Sequence, residues 1–184
     1  LLASCFPNYK KRELDPVMRK ISYAKDRGLG PHDNLSSLNV DATFKRMFEA
    51  YERKLHQVGN VDFADLIGRS IELLESSSRV KEWVHNRFSM ILVDEYQDSN
   101  AAQFNLLRQL VGPYCFICVV GDDDQSIYRF RGAEVKNILS FPEQYHQTKT
   151  VKLEQNYRST EQILEIANSV IGHNKGRPPK KLWK

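Results

Sequence analysis

Two acidic clusters in this chain each follow a short apolar run. Asp94 and Glu95 close the run Phe88-Ser89-Met90-Ile91-Leu92-Val93, and Asp122, Asp123 and Asp124 follow Gly121 after the run Cys115 to Val120. If the two runs are neighbouring strands, these carboxylates meet at one edge, and such crowding calls for a cation. An oxygen donor set suits a hard ion, Mg²⁺. Successive side chains leave a strand end in different directions, so the first pair can divide its work. Asp94 then holds Mg²⁺ through its water shell, and Glu95 polarises an attacking water. The competing reading is that strand-end acids cap the helices that follow them.

Other chemistry is poorly supported. Cys115 and Cys118 form a C-x-x-C, but residues three apart on a strand face opposite sides, so they read as core thiols. The five histidines show no paired ligand spacing, and no serine or cysteine nucleophile motif occurs. Three cysteines cannot close a disulfide framework, which makes a reducing cytoplasm the default. With 41% hydrophobic and 27% charged residues, the chain of 184 residues has a globular composition, and no apolar run approaches the ~20 residues of a membrane span.

The net charge of +4 conceals a pattern. Residues 1–55 carry 11 basic and 7 acidic groups, 56–150 carry 9 and 13, and 151–184 carry 7 and 3. An acidic centre able to hold a metal is thus flanked by basic segments able to meet an anionic partner, or all of it is solvated surface.

Strands and helices must position these groups. Residues 1–40 read as helical pieces broken by Pro16 and by the loop Gly28-Leu29-Gly30-Pro31-His32-Asp33-Asn34. From Asp41, Phe44, Met47, Phe48, Tyr51 and Leu55 recur at three- and four-residue steps, an amphipathic helix. Asp62 caps another, with Phe63, Leu66, Ile67, Ile71 and Leu74 on one side. The two apolar runs read as buried strands separated by a helix carrying Phe104, Leu107, Leu110 and Val111. A third strand is expected over Thr148–Leu153. A final helix from Ser159-Thr160 to Gly172 has Gln162 as capping-box partner and Ile163, Leu164, Ile166, Ala167 and Val170 inward. Alternating strands and helices imply an α/β fold with a mainly parallel sheet, whose ligands gather at the carboxyl ends of its strands.

Three longer strings resemble motifs of one family. Val93-Asp94-Glu95-Tyr96-Gln97-Asp98-Ser99-Asn100 is similar to motif II, the Walker B element, of the UvrD/Rep/PcrA family of superfamily 1 DNA helicases. Gly121-Asp122-Asp123-Asp124-Gln125-Ser126-Ile127-Tyr128-Arg129-Phe130-Arg131-Gly132-Ala133 resembles its motif III, and Leu153-Glu154-Gln155-Asn156-Tyr157-Arg158-Ser159-Thr160 its motif IV. Order and spacing also match. The resemblance extends over about residues 40–184, and residues 1–39 fit by position.

The resemblance implies ATP and Mg²⁺ as cofactors, with roles for matching residues. Gln125 resembles the glutamine that hydrogen-bonds the γ-phosphate or attacking water, a task for an amide that donates and accepts at once. Arg158 resembles an arginine finger, whose fixed positive fork stabilises charge on a transferring phosphoryl group. Tyr157 would stack on adenine. Tyr128, Phe130 and Arg131 form an aromatic and basic cluster suited to sequence-independent binding of single strands. Family members often carry tryptophan where this chain has Phe130.

Three family elements are missing. No G-x-x-x-x-G-K-[ST] phosphate loop occurs, nor any Gly-Lys pair, and motifs V and VI are also absent. The resemblance therefore implies an internal piece of a longer helicase, an expectation to which the leucine start also leads. Residues 1–76 would be a helical accessory subdomain, part of 1B. Residues 77–152 would be part of the RecA-like ATPase core 1A, an incomplete P-loop motor domain with a parallel sheet and flanking helices. Residues 153–184 would carry motif IV and open the second motor domain, 2A. The implied parent is an ATP-driven 3′-to-5′ helicase acting on single-stranded DNA and single/double-strand junctions with its remaining domains, while the segment alone hydrolyses ATP feebly or not at all. Two alternatives stand beside it: a non-catalytic module binding single-stranded nucleic acid, and a two-metal nuclease.

Overall fold

A computed structural model describes residues 1–127, 136–145, 147–174 and 180–184; Tyr128, Phe130 and Arg131 lie outside them. Nine α-helices and two strands occur among the described residues. The first three helices, α1 (Leu2–Cys5), α2 (Lys11–Asp26) and α3 (Ala42–Gln57), enclose one apolar core with Ile21 and Phe48 at its centre. The loop residues Leu35 and Leu38 close it.

Pro16 does not break α2. An interior proline costs roughly 3 kcal/mol, yet Leu14, Ile21 and Ala24 lie on one buried face that spans it. Burial of that face holds the helix through the proline. The glycine loop does end it, with Gly28 at φ +72° in the left-handed region that favours glycine.

The N-cap expected at Asp62 forms, and Asp41 caps α3 in the same way. Asp41 accepts from the Phe44 amide at 2.8 Å, and Asp62 accepts from the Asp65 amide at 2.8 Å at the start of α4 (Phe63–Ser76). Sequence periodicity did not reveal α5 (Ser78–Arg87). It and α4 are tied to α6 (Ala101–Leu110) through Gln109, which accepts from Lys81 Nζ at 2.7 Å and donates to Glu75 at 3.0 Å.

The second core surrounds Tyr96, Leu107 and Phe141. Strands β1 (Met90–Val93) and β2 (Phe116–Val119) contribute Ile91, Val93, Ile117 and Val119 to it. They pair in parallel, with Met90 opposite Phe116 and Val93 opposite Val119, so both runs deliver their acids to the same end. The short helices α7 (Lys136–Leu139) and α8 (Phe141–Gln144) complete this half.

Four expectations require correction. The strands are covered on one face only, leaving Met90, Leu92 and Phe116 exposed. Thr148–Leu153 forms no strand; Val151 and Leu153 are exposed, and no ladder partner lies beside them among the described residues. In the last helix, α9 (Glu161–Ile171), only Leu164 is buried, while Ile163, Ile166, Ala167 and Val170 face outward. Thr160 precedes α9 without a side-chain cap bond, so the Gln162 capping box is also not made. No helix among the described residues is long and apolar enough to cross a membrane.

Candidate functional site

The parallel register decides the geometry at the strand ends. Val120 donates to the Val93 carbonyl at 2.7 Å, and Tyr96 donates to the Val120 carbonyl at 2.9 Å, which carries the pairing one step beyond each strand. The chain turns sharply between these bonds: Glu95 sits at φ +50°, ψ +40°, a left-handed conformation uncommon for a residue with a Cβ. The Glu95 amide donates to Asp94 Oδ1 at 2.9 Å, which fixes the turn from within. Such strain persists only where surrounding contacts over-determine it.

Those contacts come from Gln97, which is 1% exposed. Its Nε2 donates to Glu95 Oε2 at 2.7 Å, and its Oε1 accepts from the Asp122 amide at 3.0 Å. Its carbonyl also accepts from Ser126 Oγ at 3.3 Å. One buried amide thus joins the loop after β1 to the loop after β2. Asp122 extends the chain by accepting from Gln125 Nε2 at 2.8 Å. Glu95 and Gln125, singled out for their types and positions, are the ends of one hydrogen-bonded path through Gln97 and Asp122.

The acidic triplet has a cation of its own. Lys180 Nζ bonds Asp122 Oδ1 and lies 3.1 Å from Asp124 and 3.7 Å from Asp123. Burial alone would raise the Asp122 carboxyl, but the Lys180 ammonium and the Gln125 amide outweigh it and hold it below the ordinary aspartate range. Burial likewise opposes charge on Lys180, and Asp122 and Asp124 overcome it and raise its pKa. The cation expected among these acids is, at Asp122–Asp124, an ammonium of the same chain.

Asp94 and Glu95 are exposed and stand on the rim of a groove of about 370 Å³ between β1 and α6, floored by Ile91, Val93, Leu106, Leu107 and Leu110. Gln125 does not line it. An exposed strand-end carboxylate offering oxygen ligands fits a hard divalent ion, so Asp94 has the donor chemistry for Mg²⁺.

Tyr157 and Arg158 sit on a different loop. Asn156 Oδ1 accepts from the amides of Arg158 and Ser159 at 2.9 and 2.8 Å, and Tyr157 Oη donates to Gln155 at 2.7 Å with its ring 83% exposed. Neither residue joins the Glu95–Gln125 path. Their loop is stitched to the segment carrying Lys180: Asn156 donates to the Trp183 carbonyl at 2.6 Å and Trp183 to the Glu154 carbonyl at 3.0 Å.

Comparison with known proteins identifies the family. Residues 5–146 match the UvrD/REP helicase N-terminal domain. The chain belongs to the UvrD/REP helicase family. It is 44% identical over 175 residues to the ATP-dependent DNA helicase UvrD1 of Mycobacterium tuberculosis, covering 89% of this chain and 23% of that protein. It is 42% identical over 183 residues to the ATP-dependent DNA helicase PcrA of Bacillus subtilis, with 95% and 25% covered. DNA helicase II of Escherichia coli is 44% identical over 168 residues, with 91% and 23% covered. The chain spans about a quarter of the length of these curated relatives.

Within this UvrD-like chain, sequence reasoning missed Gln97 and Lys180. Gln97 stood inside the motif II string without a role, although an amide three residues after a strand-end aspartate is placed to bridge loops. Lys180 carried no local signal, because its partners are 56 to 58 positions away.

Proposed function

We propose that this chain is part of an ATP-dependent 3′-to-5′ DNA helicase that couples ATP hydrolysis to movement along single-stranded DNA. The hydrogen-bonded path from Glu95 through Gln97 and Asp122 to Gln125 carries this reading, because it joins the two groups that would handle the attacking water and the γ-phosphate. The relatives' own names, ATP-dependent DNA helicase and DNA helicase II, support the same class.

In this reading Asp94 holds Mg²⁺, which when bound neutralises charge on phosphate oxygens. Glu95, locked in its turn, accepts a hydrogen bond from the attacking water and takes its proton. Gln125 offers a neutral amide that donates and accepts. Arg158 presents a positive fork to the transferred phosphoryl group, and Tyr157 offers an exposed ring for adenine. Tyr128, Phe130 and Arg131 stack on bases and meet phosphates. The two separate cores, one within residues 2–55 and one within 91–145, support division into a helical accessory part (1–76) and a RecA-like part (77–152), with 153–184 opening the second motor domain. Single/double-strand junctions are the substrate of the whole parent.

The chain contains no phosphate loop to hold the β- and γ-phosphates, so by itself it turns ATP over feebly or not at all. A coupled ATPase assay with single-stranded DNA tests both parts. The full-length parent should show DNA-stimulated hydrolysis that falls about 10²- to 10⁴-fold in Glu95→Gln, and the 184-residue chain should show almost none. A parent without DNA-stimulated ATPase ends the helicase reading. Robust turnover by this chain alone ends the claim of inactivity.

A further inference from the structure

The Asp122 carboxylate is shared between two groups that come from distant parts of the chain. One oxygen, Oδ2, accepts from Gln125 Nε2 at 2.8 Å; the other, Oδ1, accepts from the Asp124 amide at 3.0 Å and from Lys180 Nζ. The Lys180 side chain is 19% exposed, so this pair is screened less than a surface ion pair. Without the ammonium, Asp122, Asp123 and Asp124 would place three carboxylate oxygens within 4.8 Å of one another. Repulsion among them would turn Asp122 out of the orientation that receives Gln125.

The backbone around Lys180 is itself held. Lys181 donates to Glu154 Oε1 at 3.1 Å, and Leu182 exchanges two hydrogen bonds with the Asn168 side chain on α9, at 3.1 and 2.8 Å. With the Asn156 and Trp183 bonds, the strap is anchored to the loop that carries Tyr157 and Arg158.

From these contacts we propose that Lys180 is a positioning residue: it fixes Asp122, and through Asp122 the Gln125 amide, and so ties Gln125 to the Tyr157–Arg158 loop. Lys180 touches no substrate in this role. The consequence for catalysis rests on the helicase reading above, whereas the positioning itself does not.

The test has two arms. In the 184-residue chain, the Gln125 side-chain amide is followed by ¹⁵N NMR. Gln125 is exposed and its amide is set apart by the bond to Asp122, so Lys180→Met should move its signals to those of a glutamine bonded to water alone while β1 and β2 backbone signals stay in place, and Lys180→Arg should restore them. Gln125 signals unmoved in a folded Lys180→Met chain would overturn the proposal. A misfolded Met variant leaves the unaltered chain to decide: a nuclear Overhauser contact between the Lys180 and Asp122 side chains supports the strap, and its absence overturns it. In the full-length parent, Lys180→Met should lower kcat for ATP with KM nearly constant, and Lys180→Arg should recover most of it. A parent with no ATPase at all defeats the helicase reading and leaves the NMR arm standing.

Discussion

A Cβ placed on Gly121 would stand 2.5 Å from Gln97 Oε1. The same atom would meet Ile138 Cδ1 at 2.8 Å and the Tyr96 backbone nitrogen at 3.2 Å. Gly121 is therefore required by the close approach of the two strand-end loops. Gly121→Ala should destabilise the chain by about 1–3 kcal/mol, the usual cost of forcing atoms into a filled space. Urea denaturation measures it, and an unchanged midpoint would show that the loops can separate without penalty.

Removing the bridge tests the same junction from the other side. Gln97→Ala leaves the Asp122 amide without its acceptor and frees Glu95 from the donor that helps hold its left-handed turn. A part-buried donor left unpaired costs about 1–3 kcal/mol. Hydrogen exchange at the Asp122 amide should accelerate in this variant, with exchange in α2 and α3 unchanged. A uniform acceleration throughout the chain would mean that Gln97 supports global packing instead.

How much of this was legible beforehand follows from the range of the forces involved. Asp62 was readable as a cap because a cap acts within three residues. The two apolar runs were readable as strands of a parallel sheet, but their adjacency was only a condition, which the pairing of Met90–Val93 with Phe116–Val119 meets. Periodicity shows which side of an element is apolar but not whether anything covers it, which is why Ile163, Ile166 and Val170 were read as inward and are exposed. A strand also needs an edge to pair with, and Thr148–Leu153 has none among the described residues. Pro16 misled for the opposite reason, since tertiary burial overrode a local preference. Gln97, Lys180 and Lys25 act across loops or between helices, where no spacing rule reaches.

The aromatic and basic cluster of motif III lies outside the described residues, and its test is made in the whole parent. Phe130→Ala should weaken single-strand affinity by about 1–3 kcal/mol, the worth of one stacked base. Nucleotide affinity should stay nearly constant. Equal losses of both, measured by fluorescence titration with DNA and with a nucleotide analogue, would point to a packing role for the ring.

Charge holds the three long helices of the first half together and sets how that half responds to pH. Lys25 of α2 bonds Glu52 of α3, Asp62 and Asp65, each within 2.8 Å, and Tyr51 Oη donates to Asp62 at 3.1 Å. Burial tends to raise the Asp62 carboxyl, but the bonds from Lys25 and the Asp65 amide prevail and lower it. A lowered carboxylate contributes stability above the ordinary aspartate value of about 3.9 and loses it as pH falls through the folded value. Asp26 has the opposite sign, because burial and then Asp62 raise it, so it softens the acid loss. Burial, then Asp62, pushes Tyr51 up to about 12; its contribution is full below about pH 10 and is lost as pH rises through about 12. Unfolding free energy should be flat through neutrality and fall on both flanks. Lys25→Met takes the cation from Asp62 and leaves Glu52 and Asp65 only the longer Arg69 contacts at 3.6 and 4.0 Å, and should cost about 3–5 kcal/mol at pH 7. That deficit should narrow near pH 4, where protonation relieves the acids, and urea denaturation at both values measures it. An equal deficit at the two would assign Lys25 to packing through its methylenes rather than to charge.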